Sequence, residues 1–177
     1  MRIFVKIIIF LILIPSKSFG LIEVDITRGN LDPLPIAVSP LSIDENSRQN
    51  FEKILKKKNI GEEISKIIEV NLKTSGLFNP LNKDAFLQAP DIANLKPRFE
   101  DWNLIKAQAL ITGKVSYTEE KLRVEFRLWD VLAGKEMVAL AFTTVPTNWR
   151  RVGHTITDKV YQRSVSYTHL TLPTTTI

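Results

Sequence analysis

Few residues of this chain have the types and spacing that catalysis requires. The chain has two histidines, His154 and His169, and no cysteine, which excludes thiolate chemistry and thiol-ligated metal sites. The acidic pairs Glu62–Glu63 and Glu119–Glu120 are adjacent, and neighbouring side chains point apart on a helix or strand, so neither pair forms a carboxylate dyad. No glycine-rich phosphate loop and no G-x-S-x-G turn occurs. We therefore expect no enzymatic activity, no metal site and no cofactor.

His154 lies between Gly153 and Thr155 near the start of a predicted helix. A general base needs placed partners, and a histidine metal site needs further nitrogen or sulfur ligands. The sequence therefore favours a capping or packing role for His154 over catalysis. We assign structural roles to Trp149 and Gly153 of the same segment as well.

The first twenty residues have the pattern of a secretory signal peptide. Arg2 and Lys6 precede an apolar run of nine residues, Ile7–Pro15, and small residues stand at Ser18 and Gly20. This order is typical of an export signal cleaved near Gly20, and the run is shorter than the roughly 20 residues of a membrane-spanning helix. We expect a protein that works outside the cytoplasm, with no direct membrane insertion after cleavage; an uncleaved anchor is the alternative.

The net charge of the remaining chain argues against nucleic acid as a partner. The signal peptide holds three of the 24 basic residues, and residues 164–177 hold no basic or acidic residue, so residues 21–163 keep 21 bases against 19 acids. A net charge of +2 gives too weak a field to hold a polyanion. The basic run at Lys53 and Lys56–Lys58 is predicted to be a solvated helix face.

The C-terminal segment, residues 164–177, differs in composition from the rest of the chain. It reads SVSYTHLTLPTTTI, and the helical pattern before it breaks at Arg163 without a Gly or Pro stop signal. It resembles the translated sequencing-adaptor ends of truncated genes. We expect a non-native tail and a natural protein that continues beyond Arg163; a genuine β-prone strand is the alternative.

Ile22–Thr27 alternate apolar and polar side chains with period two, and a turn follows at Arg28–Asn30. We define residues 21–33 as the arm. Such a segment either forms the first strand of its own domain or pairs with the sheet edge of a partner, and the sequence leaves both open.

Periodicity predicts two helices after a buried strand at Leu34–Leu41. Ser42 and Glu45 have the spacing of a capping box for the first helix. Ile60–Ser75 is the clearest helix, because its isoleucines and Leu72 recur at three-and-four spacing. Gly76 then stands where a left-handed cap is needed, and Pro80 belongs to a short strand or edge. Both are assigned structural roles.

The second half of the chain has the pattern of three strands and a final helix. A loop at Gln88–Pro97 and a short helix around Trp102 precede these strands. Period-two alternation and short polar connections predict antiparallel neighbours. The predicted strands are Ala109–Thr118, Leu122–Trp129 and Met137–Val145. Asn148 can cap the last helix, whose inner stripe is Trp149, Val152, Ile156 and Val160. Helices interleaved with a mixed sheet indicate an α/β layer.

Several stretches together resemble the amino-terminal domain of the TolB family, a periplasmic component of the Tol–Pal envelope system of Gram-negative bacteria. They are IEVDITRGNLDPLPIAVSPL, VNLKTSGLFNPLNKDAF, ALITGKV, RLWDVLAGKEM and, most specific, NWRRVGHTITDKVYQR. The resemblance implies an α/β fold for residues 34–163, a mixed five-stranded sheet with helices on its faces, like an anticodon-binding domain. The family's six-bladed β-propeller has no counterpart here, which truncation explains.

The resemblance also implies a non-enzymatic role that links the inner and outer envelope through protein–protein contacts during division and supports outer-membrane integrity. It implies a TolA-like inner-membrane partner for the arm and a Pal-like lipoprotein partner only where the propeller is present. The arm residues carried over by position are Leu21, Ile22, Glu23, Val24, Asp25, Ile26, Thr27, Arg28 and Gly29. An exported enzyme or ligand-binding domain, and a stand-alone peptidoglycan- or lipoprotein-binding module, are the alternatives.

Overall fold

The structure, a computed structural model, describes residues 32–168. The predictions for the signal peptide, for the arm up to residue 31 and for tail residues 169–177 lie outside the described residues. Within residues 32–168, no helix combines the length and hydrophobicity needed to cross a bilayer.

The described residues alternate strands and helices in the order that an α/β domain requires. The strands are β1 (Leu34–Val38), β2 (Ser42–Ile43), β3 (Phe78–Pro80), β4 (Ala109–Thr118), β5 (Lys121–Asp130) and β6 (Lys135–Thr144). The helices are α1 (Glu45–Leu55), α2 (Ile60–Thr74), α3 (Pro90–Leu95), α4 (Phe99–Leu104) and α5 (Trp149–Thr168), with single 3₁₀ turns at Lys83–Ala85 and Pro146–Asn148.

The strands form one mixed sheet in the order β3-β1-β4-β5-β6. Strand β1 is parallel to β3 and β4, whereas β4, β5 and β6 are antiparallel neighbours. The short β2 also pairs with β4, in parallel, and extends the line of β1 after an interruption at residues 39–41. The predicted mixed sheet of five strands is thus confirmed, with β2 as an addition.

The main core lies between one face of the sheet and helices α1, α2 and α5. Ile64, Ile68 and Phe126 are almost fully buried there, as are Ile156 and Val160 of α5. The three-and-four spacing of α2 places its isoleucines on the face toward the sheet, and the alternation of β5 sends Leu122, Val124, Phe126 and Leu128 to the same side. Burial of these side chains is the dominant favourable term in folding.

The short helices α3 and α4 cover part of the opposite face. Trp102 of α4 is 1% exposed and packs with Ala93 and Leu110 in a second, smaller cluster. Its indole nitrogen donates to Oε1 of Gln88 at 2.7 Å. The prediction of a loop throughout Gln88–Pro97 is wrong, since α3 begins at Pro90, where proline fits because the first helical position needs no N–H partner.

The cap of α1 is not the residue that the sequence indicates. Asp44 is the N-cap, and its Oδ1 accepts from the backbone N–H of Ser47 at 2.9 Å. Ser42 instead lies in β2, where its hydroxyl donates to the carbonyl of Gly113 at 3.2 Å. The Ser42 prediction is wrong because parallel pairing with β4 holds this residue in the sheet.

Helix α5 runs from Trp149 to Thr168 and does not break at Arg163. The predicted inner stripe is confirmed, since the side chains of Trp149, Val152, Ile156 and Val160 are all buried. The hydroxyl of Ser164 donates to the carbonyl of Val160 at 3.0 Å, one turn earlier. The predicted break at Arg163 is therefore wrong, while the foreign origin of residues 164–177 stays a prediction.

Candidate partner-binding site

The arm joins the described domain at the start of β1. Asp32 and Pro33 are exposed, and the N–H of Leu34 donates to the carbonyl of Leu77 at 2.9 Å. Strand β1 has neighbours on both sides. The candidate residues Leu21–Gly29 lie outside the described residues. The surfaces of the described domain are therefore considered next.

Strand β6 forms one outer edge of the sheet. It pairs with β5 on one side, and within residues 32–168 no strand pairs with its other side. We call residues 135–144 the β6 edge. Its charges are confined to Lys135 and Glu136, it contains no proline, and Leu140 is 41% exposed. A long edge of this kind offers a row of backbone N–H and C=O groups to another strand.

The solvent-facing side of β5 and β6 is polar. Nε of Arg123 lies 2.9 Å from Oε1 of Glu125, and Nε of Arg127 lies 3.3 Å from Oε2 of Glu136. These side chains are about one-third to one-half exposed, and pairs of this kind contribute roughly 0–1 kcal/mol each. The sheet therefore presents an apolar edge beside a polar face.

His154 connects the two longest helices. Its Nδ1 lies 2.8 Å from the amide nitrogen of Asn71 on α2, which also donates to the hydroxyl of Thr157 at 3.4 Å. An amide nitrogen can only donate, so Nδ1 accepts. His154 thus makes a packing contact between α2 and α5.

Trp149 and Gly153 lie at the same helix–helix contact or beside it. Trp149 is 4% exposed, and the guanidinium carbon of Arg150 and Nζ of Lys57 lie 4.3 and 5.3 Å from its ring centroid. A Cβ atom added to Gly153 would lie only 3.0 Å from Cγ2 of Ile67 on α2. Both residues hold α5 on the domain.

Gly76 and Pro80 lie in the segment that follows α2 and includes β3. Gly76 has a φ of 73°, the left-handed conformation that the sequence predicts after a helix. Pro80 ends β3 at the other outer edge of the sheet, opposite Ile36. Because proline lacks an N–H donor, it is confined to edges and bulges of a sheet.

The acidic residues of the described part do not converge. Among residues 32–168, no group of three or more His, Asp or Glu side chains could hold a metal ion. Glu119 and Glu120 form the β4–β5 turn with positive φ values of 50° and 60°, and both are exposed. The Asp44 carboxylate accepts a hydrogen bond from the backbone N–H of Ser47, and this bond lowers the pKa of Asp44 although burial acts in the opposite direction. The shift is that of a helix N-cap.

Comparison with known proteins identifies the family of this domain. The family model of the TolB amino-terminal domain matches residues 22–137. The chain belongs to this family. The matched span begins inside the arm, at Ile22, and so includes most of the candidate residues together with strands β1 to β5.

A curated relative is the Tol-Pal system protein TolB of Pelagibacter ubique (strain HTCC1062), which is 76% identical over 155 residues. The alignment covers 88% of this chain and 35% of the relative, so the chain spans about a third of the relative's length. The crystal structure of TolB from Acinetobacter baumannii matches 74% of this chain and 28% of its own with a TM-score of 0.56 at 21% identity, which shows the fold. The LpoB C-terminal domain from Salmonella enterica matches at 11% identity with a TM-score of only 0.42, over 64% of this chain and 82% of its own.

The β6 edge is the feature that sequence reasoning missed. The strand itself is predicted from alternation, but its position at the outside of the sheet is not. The sequence does contain one signal of this position. Residues 137–145 carry no charged side chain, whereas the neighbouring β5 carries five. A charge-poor strand adjacent to a charged one is compatible with a partner on its open side.

Proposed function

We propose that this TolB-family chain is the amino-terminal part of a periplasmic Tol–Pal component that works by protein–protein contact and has no enzymatic role. The observation that carries the proposal is 76% identity to a curated Tol-Pal system protein TolB, together with the family match over residues 22–137. In this role the protein links the inner and outer envelope, supports outer-membrane integrity and acts in constriction during cell division.

Periplasmic localisation is supported by the first twenty residues. Their basic start, short apolar run and small residues before position 21 have the order of a signal peptide cleaved near Gly20. Cleavage leaves Leu21 as the first residue of the arm.

The arm is the proposed contact to a TolA-like inner-membrane protein. An extended segment can add a strand to a partner's sheet, where backbone hydrogen bonds give affinity and alternate side chains give specificity. Ile22, Val24 and Ile26 share one side of such a strand. Asp32 and Pro33 are exposed, so the segment before them can extend away from the domain.

A capture experiment tests the arm. A synthetic peptide of residues 21–33 should retain a purified TolA-like domain, and the double variant Ile22→Asp, Val24→Asp should lose it because two apolar anchors become charged. The matched control is Glu23→Gln with Asp25→Asn, which alters the opposite side of the strand and should retain most of the binding. Capture by the exported protein after deletion of residues 21–31 would contradict the site.

The contact to a Pal-like lipoprotein is proposed for a propeller that would follow this chain, with residues 164–177 as a foreign tail. Sequencing the genomic locus past codon 163 tests this directly. Propeller blade repeats in the same reading frame would support the proposal. A stop codon or an unrelated domain would contradict it.

A cell-based readout addresses the physiological role. In a strain whose only copy of the full-length gene carries Ile22→Asp and Val24→Asp, we expect detergent sensitivity and incomplete constriction. Equal protein levels, checked by immunoblot, separate loss of contact from loss of protein. A strain that remains resistant and divides normally would contradict the role.

A further inference from the structure

The β6 edge lacks the features that normally protect the outer strand of a sheet. Natural edge strands carry proline, inward-pointing charges or bulges, or lie under another segment. Strand β6 has ten residues and no proline, its two charges stand at its start, and its pairing with β5 is regular from Val138 to Thr144. We propose that this edge pairs with the β6 edge of a second copy of the chain, antiparallel, so that two sheets join into one across a twofold axis.

The apolar row of β6 extends beyond the cover that its own domain provides. Val138 and Phe142 are half-buried and pack on the main core, whereas Leu140, which pairs with the buried Phe126, is 41% exposed. Side chains two residues apart on a strand share a face, so these three form one row. A strand placed beside β6 would cover Leu140 and pair with the outward-facing backbone groups of the edge.

This row is self-complementary, which favours a second copy as the occupant. With Leu140 opposite Leu140 of the second copy, Val138 lies opposite Phe142, and each apolar side chain meets an apolar one. The two charges of β6, at its start, then lie beside residues 143–145 of the other strand, which are uncharged. The strand pair therefore brings no like charges together along its length.

The polar face of the sheet selects the same register. Across β5, Ala139 pairs with Arg127 and Ala141 pairs with Glu125. With Leu140 on the twofold axis, Ala139 faces Ala141 of the second copy. Arg127 and Glu125 of the second copy then share one cross-strand row, separated only by the two alanines. The twofold axis repeats this row, and complementary charges of this kind fix the register of an interface.

The neighbouring registers are less favourable. A shift that places Ala139 opposite its own copy puts Arg127 in one row with the second Arg127, and a shift that places Ala141 opposite its own copy does the same for Glu125. Like charges in such rows are destabilising. A shift by one residue would instead turn the apolar rows of the two copies to opposite faces. Apolar and charged side chains thus both favour the register centred on Leu140.

Sedimentation measures this association directly. The exported protein should shift from monomer to dimer over a concentration series up to about 1 mM, the range of weak specific binding. Leu140→Lys should weaken the dimer by about tenfold or more, because two ammonium groups would meet on the twofold axis, and an unchanged melting temperature verifies the fold. The matched control is Val70→Lys on α2, since Val70 is 54% exposed. A parent protein that stays monomeric throughout, or equal dimerisation of the two variants, would overturn the proposal.

The inference goes beyond the proposed function, because it needs neither the arm nor a second kind of protein. Deletion of residues 21–31 should therefore leave dimerisation unchanged while capture of a TolA-like domain is lost. Loss of the dimer on deletion would overturn the inference in favour of association through the arm. A monomeric protein that still captures the TolA-like domain would overturn the inference and leave the proposed function standing.

Disulfide trapping tests the twofold contact, and the absence of native cysteine leaves only the introduced thiols to react. Directly opposed residues of an antiparallel pair have Cα atoms about 4.5–5.5 Å apart, a separation that a disulfide can span. Leu140→Cys should form a covalent dimer under mild oxidation, whereas the exposed control Val70→Cys should form far less. Equal yields of covalent dimer would contradict the pairing.

Charge reversal tests the register. Arg127→Glu alone and Glu125→Arg alone should each weaken the dimer, since each places like charges in one cross-strand row. The double reversal should restore it, because opposite charges again share the row, whereas the ion pairs of the two residues inside the monomer, to Glu136 and Arg123, are not restored. A double variant that dimerises no better than the single variants would overturn the register.

Discussion

An ideal Cβ atom built on Gly153 would lie 3.0 Å from Cγ2 of Ile67. These residues are at the contact between α5 and α2, where the two helix backbones approach closely. The distance is shorter than an ordinary contact of about 3.5–4.0 Å between carbon atoms. The absence of a side chain at residue 153 therefore sets how closely the last helix packs on the domain.

Gly153→Val is expected to destabilise the domain by about 1–3 kcal/mol, because extra methyl groups must displace Ile67. Gly153→Ala should cost less, since alanine gains up to about 1 kcal/mol of helix propensity over glycine. Denaturant unfolding measures both. In a double-mutant cycle, Ile67→Ala should reduce the penalty of Gly153→Val; additive effects would contradict the contact.

Gly76→Val is expected to destabilise by about 1 kcal/mol or more for a different reason. A Cβ atom here would meet no neighbour within 4 Å, but φ is 73°, and L-residues pay about 1–2 kcal/mol in that region. Gly76→Asn should be milder, because asparagine tolerates the left-handed conformation. Equal melting temperatures for the valine and asparagine variants would contradict this reason.

Ile68→Asp should cost several kcal/mol, because Ile68 is fully buried in the main core and a carboxylate there has no compensating partner. The matched control is Val70→Asp on the same helix, since Val70 is 54% exposed. We expect that change to stay within about 0.5 kcal/mol. A melting temperature unchanged by Ile68→Asp would show that the buried face is misassigned.

Ser65→Ala is expected to cost about 1–3 kcal/mol, the typical penalty for an unsatisfied buried donor. The hydroxyl of the fully buried Ser65 accepts from the backbone N–H of Leu41 at 3.0 Å and lies 3.1 Å from the carbonyl of Ser39. Thr74→Ala is the control, because its hydroxyl bonds only the carbonyl four residues earlier, at the exposed end of α2. Equal unfolding free energies for the two variants would contradict the role of Ser65.

Asp44 should make part of the stability depend on pH. Its pKa is lowered from 3.8, first by the backbone hydrogen bond from Ser47, so the folded state favours the ionised carboxylate. The contribution is present above the unfolded pKa and is lost as pH falls through the lower folded pKa. Asp44→Asn should therefore be less stable than the parent near neutral pH, and the difference should shrink in acid. A difference that is constant with pH would argue against this cap.

Local patterns predicted most elements of the domain. Helix α2 and strands β4 to β6 follow from three-and-four spacing and from alternation, because each depends on which neighbours in sequence share a face. Local reasoning failed where a tertiary contact competed with it. Ser42 has the residue type of a cap, yet its hydroxyl bonds Gly113, 71 residues away, and Pro90 begins a helix within a segment that has the composition of a loop.

The sequence by itself determined the near-neutral charge of residues 21–163, the lack of cysteine and the types of the main elements. It also determined the alternating character of the arm, because that pattern is local. Only the tertiary structure decided the strand order, the exposure of the β6 edge and the close approach of Gly153 to Ile67. These features depend on pairings between residues far apart in the chain. Such pairings form where the free energy gained by burial exceeds the entropy cost of closing the loop, and no local periodicity specifies them.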